Sequence, residues 1–373
     1  MCYCFQITVC SGFGGGSMSH KYVLLKEVCE KASSNIAQKD LAECDGIYPI
    51  YGASGYIKSV DFFQQAKDYI AIVKDGAGIG RAMKLPAKSS VIGTMQYILP
   101  NDNINISYLY YAICSMHLEK YFSGATIPHI YFRDYQNEQL PLPTLEEQAK
   151  IANVFGRIDY FIKKEKEQLI NLDELVKSRF IEMFGDPIRN DKFWPINKLK
   201  EVTIKIGSGA TPKGGKESYP NEGIYFIRSL NVHDGLFEFK DLAHLTENQA
   251  KLLNNVIVEQ GDVLLNITGA SVARTCVVPN EILPARVNQH VSIIRCNKNF
   301  LNSTFMNRQF LSDSFKRILL NMGEAGGATR QAITKQQLED TTVIVPPITL
   351  QKEYASFVQQ VDKSKFVVTA KFQ

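Results

Sequence analysis

The chain has 373 residues, of which 45% are hydrophobic, so it can bury more than one core and two domains are the simplest expectation. Its 42 Lys and Arg residues barely outnumber its 38 Asp and Glu residues, so a nucleic-acid site would have to come from local clusters of cations rather than from bulk charge. No apolar run approaches the roughly 20 residues that cross a bilayer, and the first residues lack the pattern of a secretory signal. These features favour a cytoplasmic protein that contacts no membrane.

Residues 1–18 are predicted to be an artificial extension, because the linker-like run Gly14-Gly15-Gly16-Ser17 precedes Met18, which would be a natural start. Beyond residue 10 none of the eight cysteines has another cysteine close by, and the six histidines form no metal-binding pair. We therefore expect no bound metal, with most cysteines acting as small buried apolar side chains.

Residues 19–143 form the first predicted globular domain. Short runs rich in β-forming residues, such as 69–73 and 91–99, alternate with loops of Gly, Pro, Asn and Ser and with a helical segment at 106–121. Because strands and helices do not alternate regularly, the pattern predicts the α+β class rather than a doubly wound parallel sheet.

The loop Asp75-Gly76-Ala77-Gly78-Ile79-Gly80 follows an apolar run and superficially resembles a nucleotide or S-adenosylmethionine loop. Such a site also needs a helix N-terminus after the glycines, but the segment 81–88 contains Pro86 and is a poor helix. Two other interpretations stay equally open. The loop is either a structural turn or a DNA-facing loop that carries Arg81.

The segment 145–184 contains no proline and predicts one long helix within a spacer region, 144–187. Its apolar residues alternate in spacings of three and four, as in a coiled-coil seam, with an interruption at Glu165. The predicted seam residues are Phe155, Ile158, Ile162, Leu169, Leu172 and Val176. Such a helix would be about 60 Å long, and Gly185-Asp186-Pro187 would end it.

Residues 188–346 repeat the α+β pattern, with strands predicted at 224–228, 263–267 and 291–296 and a helix at 302–321. Residues 347–373 predict a second spacer helix, with Phe357 and Val361 in its seam. This helix is short, because the tail 366–373 is rich in β-branched residues. Either a truncated or rearranged allele or an artificial cut of the chain would explain the short tail, and in both cases we expect weaker pairing of the two helices.

The two halves form an internal duplication, since similar strings recur in the same order. The string Leu25-Lys26-Glu27-Val28 matches Leu199-Lys200-Glu201-Val202, and Gly46-Ile47-Tyr48 matches Gly223-Ile224-Tyr225. The run 69–73 with Gly76 and Arg81 matches the run 263–267 with Gly269 and Arg274. Further matches, in order, are Pro143, Gln148, Ala152 and Asp159 with Pro346, Gln351, Ala355 and Asp362. Each copy is one globular unit followed by one helical unit.

These features together resemble the specificity subunits of Type I restriction-modification systems, over residues 19–365. The strings that carry the resemblance are Leu140-Pro141-Leu142-Pro143 with Glu146-Glu147-Gln148, Phe184-Gly185-Asp186-Pro187, Ser208-Gly209-Ala210-Thr211-Pro212, and Pro346-Pro347 with Leu350-Gln351. No string is decisive alone, but their order within a duplication is specific. The second helix departs from the family in being shorter than the first, which puts the docking of a second partner subunit in doubt.

The resemblance implies two tandem target-recognition domains joined by long coiled-coil spacer helices that pack antiparallel. The expected partners are double-stranded DNA, two methyltransferase subunits and restriction subunits. The chain itself would be non-catalytic, because it has no Asn-Pro-Pro-Tyr type motif and no clustered acidic and Lys residues of a nuclease. S-adenosylmethionine, ATP and Mg²⁺ would be bound by the partner subunits.

Two other interpretations remain beside this one: a coiled-coil adaptor that binds no DNA, and a truncated, inactive specificity allele. A fused methyltransferase-nuclease is excluded, because the duplication fills the 373 residues and leaves no room for a catalytic region.

Polar and cationic residues on loops are the candidates for DNA contact, since base readout and phosphate binding both need such groups on a rigid scaffold. The densest cluster is 205–216, for which DNA contact is favoured over the alternative of a solvated flexible loop. The candidate DNA-binding residues are Lys74, Arg81, Thr94, Gln96, His129 and Tyr131 in the first copy and Lys205, Ser208, Thr211, Lys213, Lys216, Arg228, Asn231, Arg274, Asn288, Gln289, Arg330 and Gln331 in the second.

Overall fold

The computed structural model describes residues 21–124, 128–212, 219–324 and 331–370. The chain divides into two compact units, Met1–Lys164 (unit 1) and Glu165–Gln373 (unit 2). In the described part of the chain, no helix combines the length and the apolar character that a bilayer span requires.

The described part of unit 1 contains nine short strands and three short α-helices before the long helix begins. The strands are β1 (Tyr22–Leu24), β2 (Cys29–Ser33), β3 (Tyr48–Gly52), β4 (Gly55–Val60), β5 (Tyr69–Val73), β6 (Ala82–Leu85), β7 (Ser90–Val91), β8 (Met95–Pro100) and β9 (Gln139–Pro141), and the helices are α1 (Leu25–Val28), α2 (Ile106–Ser115) and α3 (Phe132–Tyr135). This mixture confirms the α+β class that the sequence predicts.

The centre of unit 1 is an antiparallel sheet with the strand order β2-β8-β5-β6. All five residues of β5 are buried, because one face of the sheet packs on α2 and the other on a second apolar cluster. A smaller sheet, β4-β3-β7, contains a parallel pair, β3 with β7. Strands β1 and β9 pair and so close the domain just before the long helix starts.

Unit 2 contains a second set of strands and helices. The strands are β10 (Ile196–Lys198), β11 (Thr203–Ser208), β12 (Ile224–Ile227), β13 (Val232–His233), β14 (Leu236–Phe237), β15 (Ala243–Leu245), β16 (Ile257–Val258), β17 (Val263–Asn266), β18 (Thr275–Val277), β19 (Ala285–Val287), β20 (Val291–Cys296) and β21 (Thr342–Ile344). Between and after them lie α5 (Leu199–Val202), α6 (Glu247–Lys251), α7 (Ser303–Leu311), α8 (Asp313–Glu324) and α9 (Lys335–Asp340).

The sheets of unit 2 repeat those of unit 1, which confirms the duplication. The central order β11-β20-β17-β18 matches β2-β8-β5-β6, the parallel pair β12 with β19 matches β3 with β7, and β10 pairs with β21 as β1 pairs with β9. The match between the runs 69–73 and 263–267 shifts by one residue. The backbone N–H of Val73 donates to the carbonyl of Arg81 as that of Asn266 donates to the carbonyl of Arg274, so Val73 corresponds to Asn266.

The long helix α4 (Leu145–Phe184) has the bounds that the sequence predicts. Thr144 caps its first turn, because the Thr144 hydroxyl accepts from the Glu147 backbone N–H and the Glu147 carboxylate accepts from the Thr144 backbone N–H. Gly185, at a φ of +74°, ends it in the left-handed conformation that glycine adopts without strain.

The second long helix, α10 (Ile348–Ala370), has 23 residues against the 40 of α4. It is shorter than α4, as predicted, but Phe366–Val368 continue the helix, so the β-branched tail does not end it. Of these three residues only Val368 is buried, so the weak helix propensity of β-branched residues does not by itself end the helix.

Within unit 2 the C-terminal part of α4 packs against α10. Leu172, Val176, Phe357 and Val361, four of the predicted seam residues, join one apolar core. The core also contains residues that the sequence analysis did not single out, namely Phe180, Met183, Phe184, Tyr354 and Val358. The helices run antiparallel, because Arg179 pairs with Glu353 at 3.5 Å whereas the earlier residue Asp173 pairs with the later Lys365 at 2.5 Å.

The other predicted seam residues of α4 are only half-buried: Phe155, Ile158, Ile162 and Leu169. The Phe155 ring lies 5.1 Å from the ring of Tyr111 in α2, so at that residue α4 packs on its own domain.

A buried glutamine fixes the start of each long helix to the preceding domain. Both Gln148 and Gln351 are fully buried. The Gln148 carbonyl accepts from the backbone N–H of Asn105, the residue that caps α2, and its amide donates to the carbonyls of Asn103 and Pro143. The side-chain amide of Gln148 therefore uses both its donor end and its acceptor end.

Gln351 makes the same three bonds in unit 2. Its carbonyl accepts from the N–H of Asn302, the cap of α7, and its amide donates to the carbonyls of Phe300 and Pro346 at distances of 2.7–2.9 Å. The match between these glutamines in the sequence therefore reflects one shared structural device.

Replacing Gln148 by Ala should lower the free energy of unfolding by about 1 to 3 kcal/mol, because three backbone groups, one of them in a fully buried hydrogen bond, lose their partner. Urea unfolding of Gln148→Ala beside Gln168→Ala measures this, since Gln168 lies exposed on the same helix. Equal stability of the two variants would contradict the structural role of Gln148.

Candidate nucleic-acid interface

The central sheet of unit 1 ends in a set of loops that we call the unit 1 edge, formed by residues 74–81, 92–94 and 128–131. The backbone N–H groups of Lys74 and Asp75 donate to the carbonyl of Thr94 at 3.0 and 3.2 Å. The Gly76 N–H donates to the Pro128 carbonyl, and the Ile130 N–H donates to the Lys74 carbonyl. These bonds hold three separate chain segments in one rigid frame.

Polar side chains project from this frame. Arg81 is exposed, and its guanidinium donates to the carbonyl of Ala53 in the turn between β3 and β4. Thr94 is exposed, and Lys74 lies 3.8 Å from the Asp75 carboxylate. His129 bonds to Asp75 through Nδ1, at 2.7 Å.

An aromatic and cationic column extends from the same place. The Tyr131 ring stacks on the His129 ring with centroids 6.4 Å apart, and the Arg133 guanidinium lies over Tyr131 at 4.8 Å. A column of this kind limits the rotation of the imidazole.

The glycine loop of the unit 1 edge leads directly into strand β6, so no helix N-terminus follows the glycines. The loop is a tight turn in which Gly76 and Gly80 have positive φ, at +92° and +81°. Its geometry places Arg81 on the edge and does not form the phosphate cradle of a nucleotide loop.

The unit 2 edge consists of residues 208–212, 267–274, 288–290 and 331–332, and it has the same frame. The backbone N–H of Ile267 donates to the carbonyl of His290 as that of Lys74 donates to Thr94. The N–H of Gly269 donates to the carbonyl of Gln331 as that of Gly76 donates to Pro128. The two edges are therefore equivalent.

The side chains of the unit 2 edge form a neutral network. The Thr211 hydroxyl donates to the Gln289 carbonyl, the Gln289 amide lies 3.1 Å from Nε2 of His290, and Nδ1 of His290 bonds to the hydroxyl of Thr268. Arg274 occupies the position of Arg81. Ser208 is half-buried at the end of β11.

Two further candidates lie beside this edge. Lys205 on β11 is half-buried opposite Arg295 on β20, and burial, with the Arg295 charge as a second cause, lowers the pKa of Lys205. Arg228 is the residue that follows β12. Its guanidinium lies over the Tyr219 ring at 5.7 Å and donates to the Asp241 carbonyl. Within the described ranges, Nε of Arg228 has no hydrogen-bond partner although it is buried.

A family model for the Type I restriction modification DNA specificity domain matches two segments of the chain, residues 20–173 and 192–371. The chain belongs to this family. Each edge therefore lies in one copy of a DNA specificity domain.

Known proteins agree with this assignment. The chain is similar to the Type I restriction enzyme MjaIX specificity subunit of Methanocaldococcus jannaschii, with 25% identity over 70% of this chain and 63% of that protein. The MjaVIII specificity subunit of the same organism is 22% identical over 79% of this chain and 72% of the relative. The chain thus spans less than two thirds of the length of the MjaIX relative.

The fold is also similar to the crystal structure of the S subunit of a Type I restriction-modification system from M. genitalium. The TM-score is 0.62 at 15% identity, covering 96% of this chain and 93% of that chain. At this identity the likeness concerns the fold.

Three candidates for DNA contact in the specificity domains are corrected, because they are buried and hold other groups. The Gln96 amide donates to the Tyr135 hydroxyl within the core. The Asn231 amide donates to the carbonyls of Glu238 and Lys240, and the Asn288 carbonyl accepts from the His290 N–H. Polar residues next to loops have these structural uses as often as ligand contacts.

The remaining candidates are exposed, half-buried or outside the described residues. Gln331 is half-exposed and donates to Glu324 at 3.3 Å. Lys213, Lys216 and Arg330 lie outside the described residues, so the cationic cluster 205–216 is described only in part.

Asp75 and Thr268 occupy equivalent positions on the two edges and are residues that the sequence analysis missed. Each bonds to an imidazole. The signal that could have identified them is the position of the strand ends, because each is the second residue after its strand, β5 or β17.

Among the described residues of the specificity domains, no group of three His, Cys, Asp or Glu side chains could hold a metal ion. Cys29, Cys276 and Cys296 are buried, as expected for apolar use, and burial raises the pKa of each thiol to about 12.

Gly80→Ala should disrupt the unit 1 edge, because an added Cβ would lie 2.6 Å from the Glu119 backbone nitrogen at a φ of +81°. We expect a loss of at least about 1 kcal/mol in the free energy of unfolding and faster amide hydrogen exchange at 74–81. Gly207→Ala is the matched control, since nothing lies within 4 Å of its added Cβ. Unchanged exchange in Gly80→Ala would show that the edge does not depend on this turn.

Proposed function

We propose that this chain is the DNA-specificity subunit of a Type I restriction-modification complex and that it recognises a bipartite DNA site. One observation carries the proposal: the two specificity domains hold their edges in the same backbone frame but present different side chains. A duplicated frame with different polar groups is suited to reading two different short sequences.

The chemistry of the edges fits DNA recognition. Hydroxyl, amide and imidazole groups on rigid loops can pair with base edges in the major groove. Arg81 and Arg274, at equivalent positions, can neutralise phosphates and set the register on the duplex. We assign base readout to Thr94 and His129 in unit 1 and to Ser208, Thr211, Gln289 and Gln331 in unit 2.

The catalytic steps belong, in this proposal, to partner subunits. Two methyltransferase subunits would bind S-adenosylmethionine, and restriction subunits would bind ATP and Mg²⁺, while this chain binds no cofactor and works in the cytoplasm. The target-recognition domains would be residues 19–143 and 188–346. Spacer helices within 144–187 and 347–373 would set the nonspecific gap between the half-sites.

The proposal is tested by expressing the chain with methyltransferase subunits of its own system and mapping methylated adenines on genomic DNA by single-molecule sequencing. We expect a gapped motif with one methylated adenine in each half. A stable complex that methylates no motif would identify an inactive allele. A chain that forms no complex and binds no DNA would favour the adaptor interpretation.

Binding of the purified complex to duplex DNA should weaken steeply with salt, because phosphate contacts release counterions. Arg81→Ala and Arg274→Ala should each reduce the slope of log affinity against log salt concentration by about 1. The matched controls are Lys26→Ala and Lys200→Ala, because α1 and α5 lie at the opposite ends of β2 and β11 from the edges. Equal slopes of log affinity against log salt concentration for the arginine and lysine variants would show that the two arginines do not contact DNA phosphates.

A further inference from the structure

The two edges share their frame but place the imidazole on different segments. Thr94 in unit 1 corresponds to His290 in unit 2, because each carbonyl accepts from the residue after the central strand. His129 corresponds to Ala332, because each forms a bridge with the equivalent residue, Asp75 or Thr268. The histidine therefore occupies a different frame position in each unit.

In both units the imidazole is held by the same frame position through the same ring nitrogen. Nδ1 of His129 bonds to the Asp75 carboxylate at 2.7 Å, and Nδ1 of His290 bonds to the Thr268 hydroxyl. The imidazole comes from a different chain segment in each unit, yet it bonds to the same frame position. This indicates that the edge requires one orientation of the imidazole.

The bond to Asp75 determines which groups of His129 remain for DNA. A carboxylate only accepts, so Nδ1 of His129 donates, and Nε2 is the ring nitrogen left to bond to a base, as an acceptor when the ring carries a single proton. Within the described ranges no group bonds to Nε2 of His129, and its side chain is 36% exposed. In unit 2 the same atom of His290 lies 3.1 Å from the Gln289 amide, whose carbonyl accepts from Thr211.

We propose that His129 is a specificity-determining residue of unit 1, that its Nε2 accepts a hydrogen bond from the exocyclic amino group of adenine or cytosine in the major groove, and that Asp75 is its positioning residue. In unit 2 we assign the equivalent contact with a base to Gln289. His290 bonds to its amide and is itself bonded to Thr268, so the two residues hold Gln289 in place. This inference rests on the proposed function.

The charge of Asp75 supports a positioning role rather than direct phosphate contact. A carboxylate facing a polyanion is unfavourable unless nearby cations and donors compensate it. Lys74 lies 3.8 Å away and His129 donates to it, so both neighbours supply that compensation. The Tyr131 ring also stacks on the imidazole, with the two ring planes 23° apart and the centroids 6.4 Å apart.

The test compares methylation motifs of the full complex for His129→Ala and for the wild type. We expect discrimination at one base pair of one half-site to fall on the order of tenfold, as for the loss of one hydrogen bond to a base, with the other half and the gap unchanged. The base whose preference is lost in the motif identifies the group that donates to Nε2 of His129, the amino group of an adenine or of a cytosine. His129→Phe, which keeps a ring but has no hydrogen-bond acceptor, serves as a second variant if the alanine change lowers folding stability.

Asp75 is tested by rescue. Asp75→Ala should relax the same base pair as His129→Ala, whereas Asp75→Asn should keep the preference, because an amide oxygen still accepts from Nδ1. His117→Asn is the matched control: it is another histidine of unit 1, at a φ of +52° that asparagine tolerates.

Unchanged discrimination in both His129 variants would overturn the proposal, and unchanged discrimination in Asp75→Ala would remove the positioning role. These outcomes differ from a failure of the proposed function, in which the wild-type complex itself yields no bipartite motif.

Discussion

The buried glutamine at the head of each long helix is the interaction on which the rest of the structure depends. Gln148 and Gln351 each tie three backbone groups from two segments, the start of the spacer helix and the cap of the helix that packs on the central sheet. Because the amide has no spare donor or acceptor end, the angle at which the helix leaves its domain is fixed by buried hydrogen bonds rather than by surface contacts. Paired strands, β1 with β9 and β10 with β21, close each domain at the same point.

Each domain carries its edge, with the candidate DNA-contacting side chains, at the end of the central sheet that lies away from the start of the long helix. The strands end in loops that are framed by backbone bonds common to the two units, so the side chains on them can differ while the frame stays the same. Asp75 and Thr268 show this separation, since the same backbone position supplies a carboxylate in one unit and a hydroxyl in the other. A protein that must read different sequences with one scaffold needs this division between frame and reading groups.

The sequence predicted the helix Leu145–Phe184, because the absence of proline, the apolar periodicity and the terminal glycine all agree there. The α+β class followed from strand-forming runs and helices that do not alternate regularly, and the duplication followed from the order of strings that recur in both halves. The one-residue shift at β17 was not predictable, since only the ladder bonds of Asn266 and Arg274 reveal it. Gln96 was misjudged because a buried polar residue on a strand has the same sequence signal as an exposed one. Tyr354 and Val358 were missed because the short tail suggested that the helix pairing was weak.

The central claim is that each specificity domain reads its own half of the DNA site. The most direct measurement replaces residues 21–143 with the equivalent domain of a family member whose motif is known and maps the methylated adenines of the chimeric complex. The account predicts that one half of the motif becomes that of the donor protein, while the other half and the gap stay as in the parent. A motif that changes in both halves, or in neither, would contradict it.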